Sequence, residues 1–132
     1  MDDVVFHPIG IIHTPFTELE HTPKSWRENQ MTRCELCIDP AYWEGLADVR
    51  PGERYQIVFY FHRARGSRLT VCVRGTGPLR GVFSTHSPER PNGIGISVIT
   101  VTDISDGTIG FTGADMLDGT PVLDLKPWFE GM

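Results

Sequence analysis

Apolar residues recur at every second position along most of this chain, and glycine or proline interrupts them at short, even intervals. That spacing predicts strands joined by turns. The clearest strand covers residues 54–63, where Tyr55, Ile57, Phe59 and Phe61 alternate with Gln56, Val58, Tyr60 and His62. Both of its faces are largely apolar, so it is expected to be central. Residues 94–104 form another long strand, and Ser105-Asp106-Gly107 turns it back into 108–112 as a hairpin. Further strands are expected at 4–13 (interrupted by Pro8-Ile9-Gly10), 32–38, 68–74, 79–84 and 120–125. Residues 18–30 are polar, contain Pro23 and lack periodicity, which predicts a long loop. Asp39-Pro40 supplies a cap and a first-turn proline for a short helix with Tyr42, Trp43 and Leu46 on its apolar side. The sum is an all-β protein: a small closed β-barrel of about eight strands, one short helix and long loops. A closed barrel is preferred over a sandwich because several strands are apolar on both faces and closure removes exposed edges. Strand–helix alternation and a GxGxxG after a strand are both missing, which disfavours a Rossmann-type site.

Length fits this picture. At 132 residues and 39% hydrophobic content, residues 1–132 are expected to form one domain. Such a chain buries enough surface to fold without a disulfide or metal staple. No apolar run approaches a membrane span, and the start, MDDVVFHPIG, has neither a basic n-region nor an apolar h-region. A cytoplasmic protein without a membrane partner is the expectation. Three cysteines, an odd count, argue against a disulfide framework. Cys34-x-x-Cys37 has no second half to complete a zinc site, and its setting reads as a strand with the two thiols on opposite faces. No metal is predicted.

Charge changes the picture more. The chain carries a net −5, yet residues 63–90 hold six arginines and one acid, a local +5 on a remainder of −10. Arginine suits bidentate phosphate contacts and stacking on bases, so this island is compatible with an anionic ligand. Two polar loops lie between the patterned strands. Residues 84–95 offer Arg90, Asn92, hydroxyls and glycines; residues 115–127 offer Asp115, Asp118, Asp124 and Lys126. Binding residues collect on such loops, although Asn92-Gly93 and Asp118-Gly119 are also good turn dipeptides.

These two loops carry a resemblance. Residues 81–97 read GVFSTHSPERPNGIGIS, and residues 115–128 read DMLDGTPVLDLKPW. They closely resemble the patterns GVFATRSPxRPNPIGLS and DMLDGTPVLDIKPY of the TsaA-like (TrmO-type) family. Characterised members of that family use S-adenosylmethionine to methylate N6 of threonylcarbamoyladenosine beside the tRNA anticodon. Pro8-Ile9-Gly10-Ile11-Ile12-His13-Thr14-Pro15-Phe16 and Phe59-Tyr60-Phe61-His62 match as well, so the resemblance runs through essentially the whole chain.

The resemblance implies a β-barrel methyltransferase that forms a homodimer with each cofactor site near the interface, acting on the tRNA anticodon loop. Carried over by position, S-adenosylmethionine would meet Pro23, Lys24, Ser25, His62, Arg63, His86, Ile96, Leu117, Asp118, Gly119 and Thr120. In that setting Asp118 and Asp124 are candidate bases for the N6 proton. Lys126 or Arg90 would hold a phosphate or the threonyl carboxylate, and Asn92 joins the catalytic candidates. The chain departs from the family pattern at His86 (arginine), Gly93 (proline) and Lys24-Ser25 (a PRQ-like loop). The last motif lies close to Met132, and the expectation is a protein lacking the further C-terminal domain of longer bacterial members. A methyltransferase with another acceptor, or a binding module retaining the fold, are the alternative expectations.

Overall fold

A computed structural model describes residues 1–18, 22–28, 31–72 and 77–130. Among the described residues there are eight strands: β1 (Gly10–His13), β2 (Cys34–Ile38), β3 (Arg54–Tyr60), β4 (Thr70–Cys72), β5 (Leu79–Gly81), β6 (Ile94–Ser105), β7 (Thr108–Thr112) and β8 (Pro121–Pro127). Six of them close into an antiparallel barrel in the order β1-β2-β7-β6-β3-β8, with β8 pairing back onto β1. The other two, β4 and β5, pair with each other as a two-stranded ribbon, separate from the ring. The period-two pattern delivers the core directly. Ile12, Leu36, Ile57, Phe59, Ile99, Val101, Ile109, Phe111 and Val122 point inward and are buried. Register shifts between Val58 and Phe59 and between Val101 and Asp103 bend the strands as closure requires.

Several expected elements are trimmed. The first strand begins pairing only at Ile9, whose N–H donates to the Val122 carbonyl at 2.7 Å. Pro8, which has no N–H, ends the ladder there, and Val4 to Pro8 lie exposed outside the barrel. The central strand stops at Tyr60, after which the Phe61 N–H is taken by the Gly93 carbonyl at 2.8 Å. Residues 82–84, expected as strand, form a 3₁₀ turn. Of the strand expected at 68–74, Val73 and Arg74 lie outside the described residues.

The expected short helix is a 3₁₀ helix, Pro40–Leu46, capped as its sequence predicts: the Asp39 carboxylate accepts from the Ala41 N–H at 2.9 Å. Its expected apolar side is not buried. Tyr42 and Trp43 stay 43% and 41% exposed, and only Leu46 packs on the core. With three residues per turn, a 3₁₀ helix aligns Trp43 with Leu46 and leaves Tyr42 off that line. Cys34 is buried and Cys37 half-buried, on opposite faces of β2. No helix among the described residues is long and apolar enough to cross a membrane.

Antiparallel pairing gives the barrel two distinct ends. One, the mouth, collects the ends of β1, β3 and β7 and the starts of β6 and β8. The opposite end carries the Pro40–Leu46 helix, the β6–β7 hairpin and the end of β8.

Candidate functional site

The segment between β7 and β8 crosses the mouth and is laced to the end of β1. Asp118 N–H donates to the Phe16 carbonyl at 2.8 Å, Gly119 N–H to the Ile12 carbonyl at 2.8 Å, and Ile12 N–H to the Thr120 carbonyl at 3.0 Å. Thr120 is buried, and its hydroxyl donates to the Leu117 carbonyl at 2.6 Å. Leu117 is itself buried, so Leu117 and Thr120 shape the loop from within. Farther back, the Ser97 hydroxyl on β6 donates to Asp115 at 2.5 Å. These ties leave one side chain of the loop reaching out: the Asp118 carboxylate, whose Oδ1 accepts from the Thr14 N–H at 3.0 Å and lies 3.5 Å from His13 Nδ1.

His62 arrives from the neighbouring strand end. Its imidazole hydrogen-bonds the Asp118 backbone, and a methyl placed on Gly119 would stand 3.7 Å from its Nε2. Burial, reinforced by the Arg63 charge, pushes the His62 pKa below its ordinary value despite the opposing pull of Asp118. The imidazole is therefore held neutral at neutral pH. Arg63 next to it is exposed and spends one N–H on the Thr17 carbonyl at 2.5 Å. Residues from three distant parts of the sequence thus meet at one mouth: His13 and Thr14, His62 and Arg63, Asp118 and Gly119.

The other candidates fall in different places. Pro23, Lys24 and Ser25 precede the turn Trp26–Glu28, which lies near β6, and Ile96 is exposed on β6. Lys24 N–H donates to the Glu28 carboxylate at 3.0 Å, and the Ser25 hydroxyl accepts from the Arg27 N–H at 3.2 Å. His86 is exposed in the loop before β6. Arg90 turns back on its own loop, its Nη1 donating to the Thr85 and Ser87 carbonyls at 2.7 and 3.3 Å. Asn92 and Gly93 have φ of 68° and 59°. Proline, fixed near −65°, cannot occupy the second of these, so this loop turns differently from one with proline there. Asn92 lines a hollow of about 270 Å³ with Val4, Phe6, Tyr60, Ile94 and Leu123.

Asp124 and Lys126 stand away from the mouth. They pair with each other at 3.0 Å on β8, and Asp124 lines a cavity of about 740 Å³ at the opposite end, under the Pro40–Leu46 helix. His13 and Thr14 were not among the residues singled out from sequence. Their signal was a histidine and a hydroxyl just before a strand-ending proline, inside the matched opening motif.

Comparison with known proteins covers nearly all of the chain. Residues 11–132 match the family model described as the tRNA-methyltransferase O N-terminal domain. A probable S-adenosyl-L-methionine-binding protein of Pyrococcus abyssi is 35% identical over 125 residues, covering 95% of this chain and 68% of that one. A mouse tRNA (adenine(37)-N6)-methyltransferase is 43% identical over 133 residues, covering 96% of this chain and 31% of that one. The crystal structure of TrmO from Pseudomonas aeruginosa superposes with a TM-score of 0.82 at 31% identity, over 99% of this chain and 60% of that one. The chain therefore spans less than two thirds of that solved relative.

Proposed function

The chain belongs to the tRNA-methyltransferase O N-terminal domain family, and from that premise we propose that it is an S-adenosylmethionine-dependent methyltransferase. Its acceptor in this proposal is N6 of threonylcarbamoyladenosine next to the tRNA anticodon. The observation that carries the reading is the meeting of His62, Arg63 and the 117–120 segment at one barrel mouth. The donor set there fits the cofactor. The Asp118 carboxylate and nearby carbonyls suit a sulfonium and an ammonium, while the Arg63 guanidinium, or Lys24, suits a carboxylate. When bound, the cofactor supplies an electrophilic methyl group.

The chain's own residues supply position and proton transfer. An N6 nitrogen in a carbamoyl linkage has a delocalised lone pair and must give up a proton during methylation. Asp118 is favoured as the acceptor of that proton over Asp124, whose carboxylate is paired with Lys126. The Thr14 N–H and His13 hold Asp118 Oδ1, and among the described residues Oδ2 has no hydrogen bond. His62, kept neutral, adds no competing positive charge beside a cationic cofactor.

The protein acts as a homodimer in this proposal. Val4, Phe6, Tyr60 and Ile96 are exposed apolar side chains, and the first three border the hollow around Asn92 beside the mouth. The test is calorimetric titration with S-adenosylmethionine and S-adenosylhomocysteine, followed by nucleoside mass spectrometry of tRNA incubated with protein and cofactor. Micromolar binding and a new methylated threonylcarbamoyladenosine are expected. Asp118→Asn should lower turnover by about 10²-fold or more. Unchanged turnover would remove Asp118 from the mechanism.

A further inference from the structure

We propose that Arg65, ahead of β4, Arg80 on β5 and Phe83 in the turn after β5 form the surface that grips the single-stranded nucleotides flanking the acceptor. This rests on the reading above that the acceptor is carried in an RNA loop. Among the described residues the ribbon joins no barrel strand by a ladder. It is anchored by the buried side chains of Val71 and Val82, by Val82 N–H donating to the Leu69 carbonyl at 2.9 Å, and by Arg68 N–H donating to the Glu89 carbonyl at 3.2 Å. The chain leaves the mouth after His62 and Arg63 to build it, and returns through Phe83 to the loop containing His86. The segment thus leaves the barrel at the end of β3 and leads back, through that loop, to the start of β6.

Its chemistry is that of a single-strand platform. Phe83 is 76% exposed, three residues before His86, and an aromatic face so placed accepts a stacked base of any identity. The arginine island of the sequence falls on this segment, and its members are not equally free. Arg68 is paired with Glu89 at 2.9 Å, Arg63 holds the Thr17 carbonyl, and Arg90 closes its own loop. Arg65 and Arg80 are exposed and make no hydrogen bond or ion pair among the described residues. They are available to phosphates. With the rest of the chain net acidic, this stretch is the part of the sequence best suited to phosphate contacts.

The experiment measures binding of a short anticodon stem-loop RNA by fluorescence anisotropy across a salt series, with methyl-transfer kinetics on tRNA in parallel. Phe83→Ala should weaken binding about 5- to 150-fold, and Phe83→Tyr should restore it. Arg65→Ala with Arg80→Ala should flatten the slope of log K against log salt by about 1.4, since each phosphate contact on a single strand contributes about 0.7. Cofactor titration and sedimentation should be unchanged in every variant. If the parent methylates tRNA and these variants do so with the same KM, affinity and salt slope, the ribbon is not the RNA surface. A loss that follows lost dimerisation or lost cofactor binding also overturns the proposal. If instead the parent itself neither binds nor methylates RNA, the functional reading fails first.

Discussion

His62 lies under opposing influences whose balance has a measurable sign. Burial and the Arg63 charge favour the neutral imidazole more than the Asp118 backbone and carboxylate favour the cation, so the folded pKa lies below the ordinary 6.5. As pH falls below about 6.5 the unfolded chain takes up a proton that the folded chain refuses, and stability drops until the folded pKa is passed. Acidification from about pH 7 to about pH 5 should therefore lower the melting temperature, and His62→Gln should flatten that dependence. Asp103 does not interfere. Its paired guanidinium, Arg33, holds it at about 2, so its contribution is lost only below the ordinary carboxylate value of 3.8. A second prediction concerns thiols. Cys34 is buried, its pKa raised by desolvation, whereas Cys72 is exposed on the ribbon. Timed alkylation with peptide mass spectrometry should label Cys72 first, and Cys34 only at the rate of unfolding. At this scale the sequence was most legible where chemistry is local. The opposite faces of Cys34 and Cys37 follow from strand parity alone. The His62–Asp118 contact does not, because no periodicity links residues so far apart in the chain.

Among the elements, the β6–β7 hairpin was readable because its turn is specified by two residues. Asp106 and Gly107 take φ of 49° and 76°, the pair of positive angles that a two-residue type I′ turn demands. What lies over that turn could not be read. The Trp43 indole donates its N–H to the Ile38 carbonyl at 2.7 Å and covers Gly107 so closely that a methyl there would collide with the ring. This contact explains why Trp43 did not turn into the core with Leu46. Gly107→Ala should cost at least about 1 kcal/mol from the left-handed backbone alone, with a further loss from displacing the indole. Urea unfolding would show it as a lowered midpoint. In a Trp43→Phe background the same substitution should cost less, the difference measuring the ring–turn coupling. The ribbon is the converse case. Its alternating residues look like barrel strands, and only the pairing of β3 with β6 and β8 excludes β4 and β5 from the ring.

For the whole molecule, an all-β barrel was implicit in eight patterned segments, but the number that close the ring depends on register and tilt, which are set by tertiary pairing. The mouth likewise exists only once β1, β3 and β8 are aligned, which is why motif resemblance reached its residues and spacing could not. The same alignment collects apolar surface outside the barrel. Phe6 and Tyr60 are 59% and 45% exposed, and they border one hollow with Val4, Ile94 and Leu123 although β3, β6, β8 and the first residues supply them from distant parts of the chain. A second copy covering this patch would bury it and bring its own surface beside the Asp118 mouth, in keeping with the proposed dimer. A carboxylate there would have to be desolvated against apolar neighbours on association. Phe6→Asp should therefore shift the sedimentation of the protein toward monomer, while the melting temperature extrapolated to low protein concentration stays near that of the parent, since Phe6 belongs to no core cluster. If the cofactor site is completed near the interface, S-adenosylmethionine affinity should fall in the same variant and recover as protein concentration is raised. Weaker affinity independent of concentration would place the complete site within one copy. An unchanged dimer would mean that copies meet through another face.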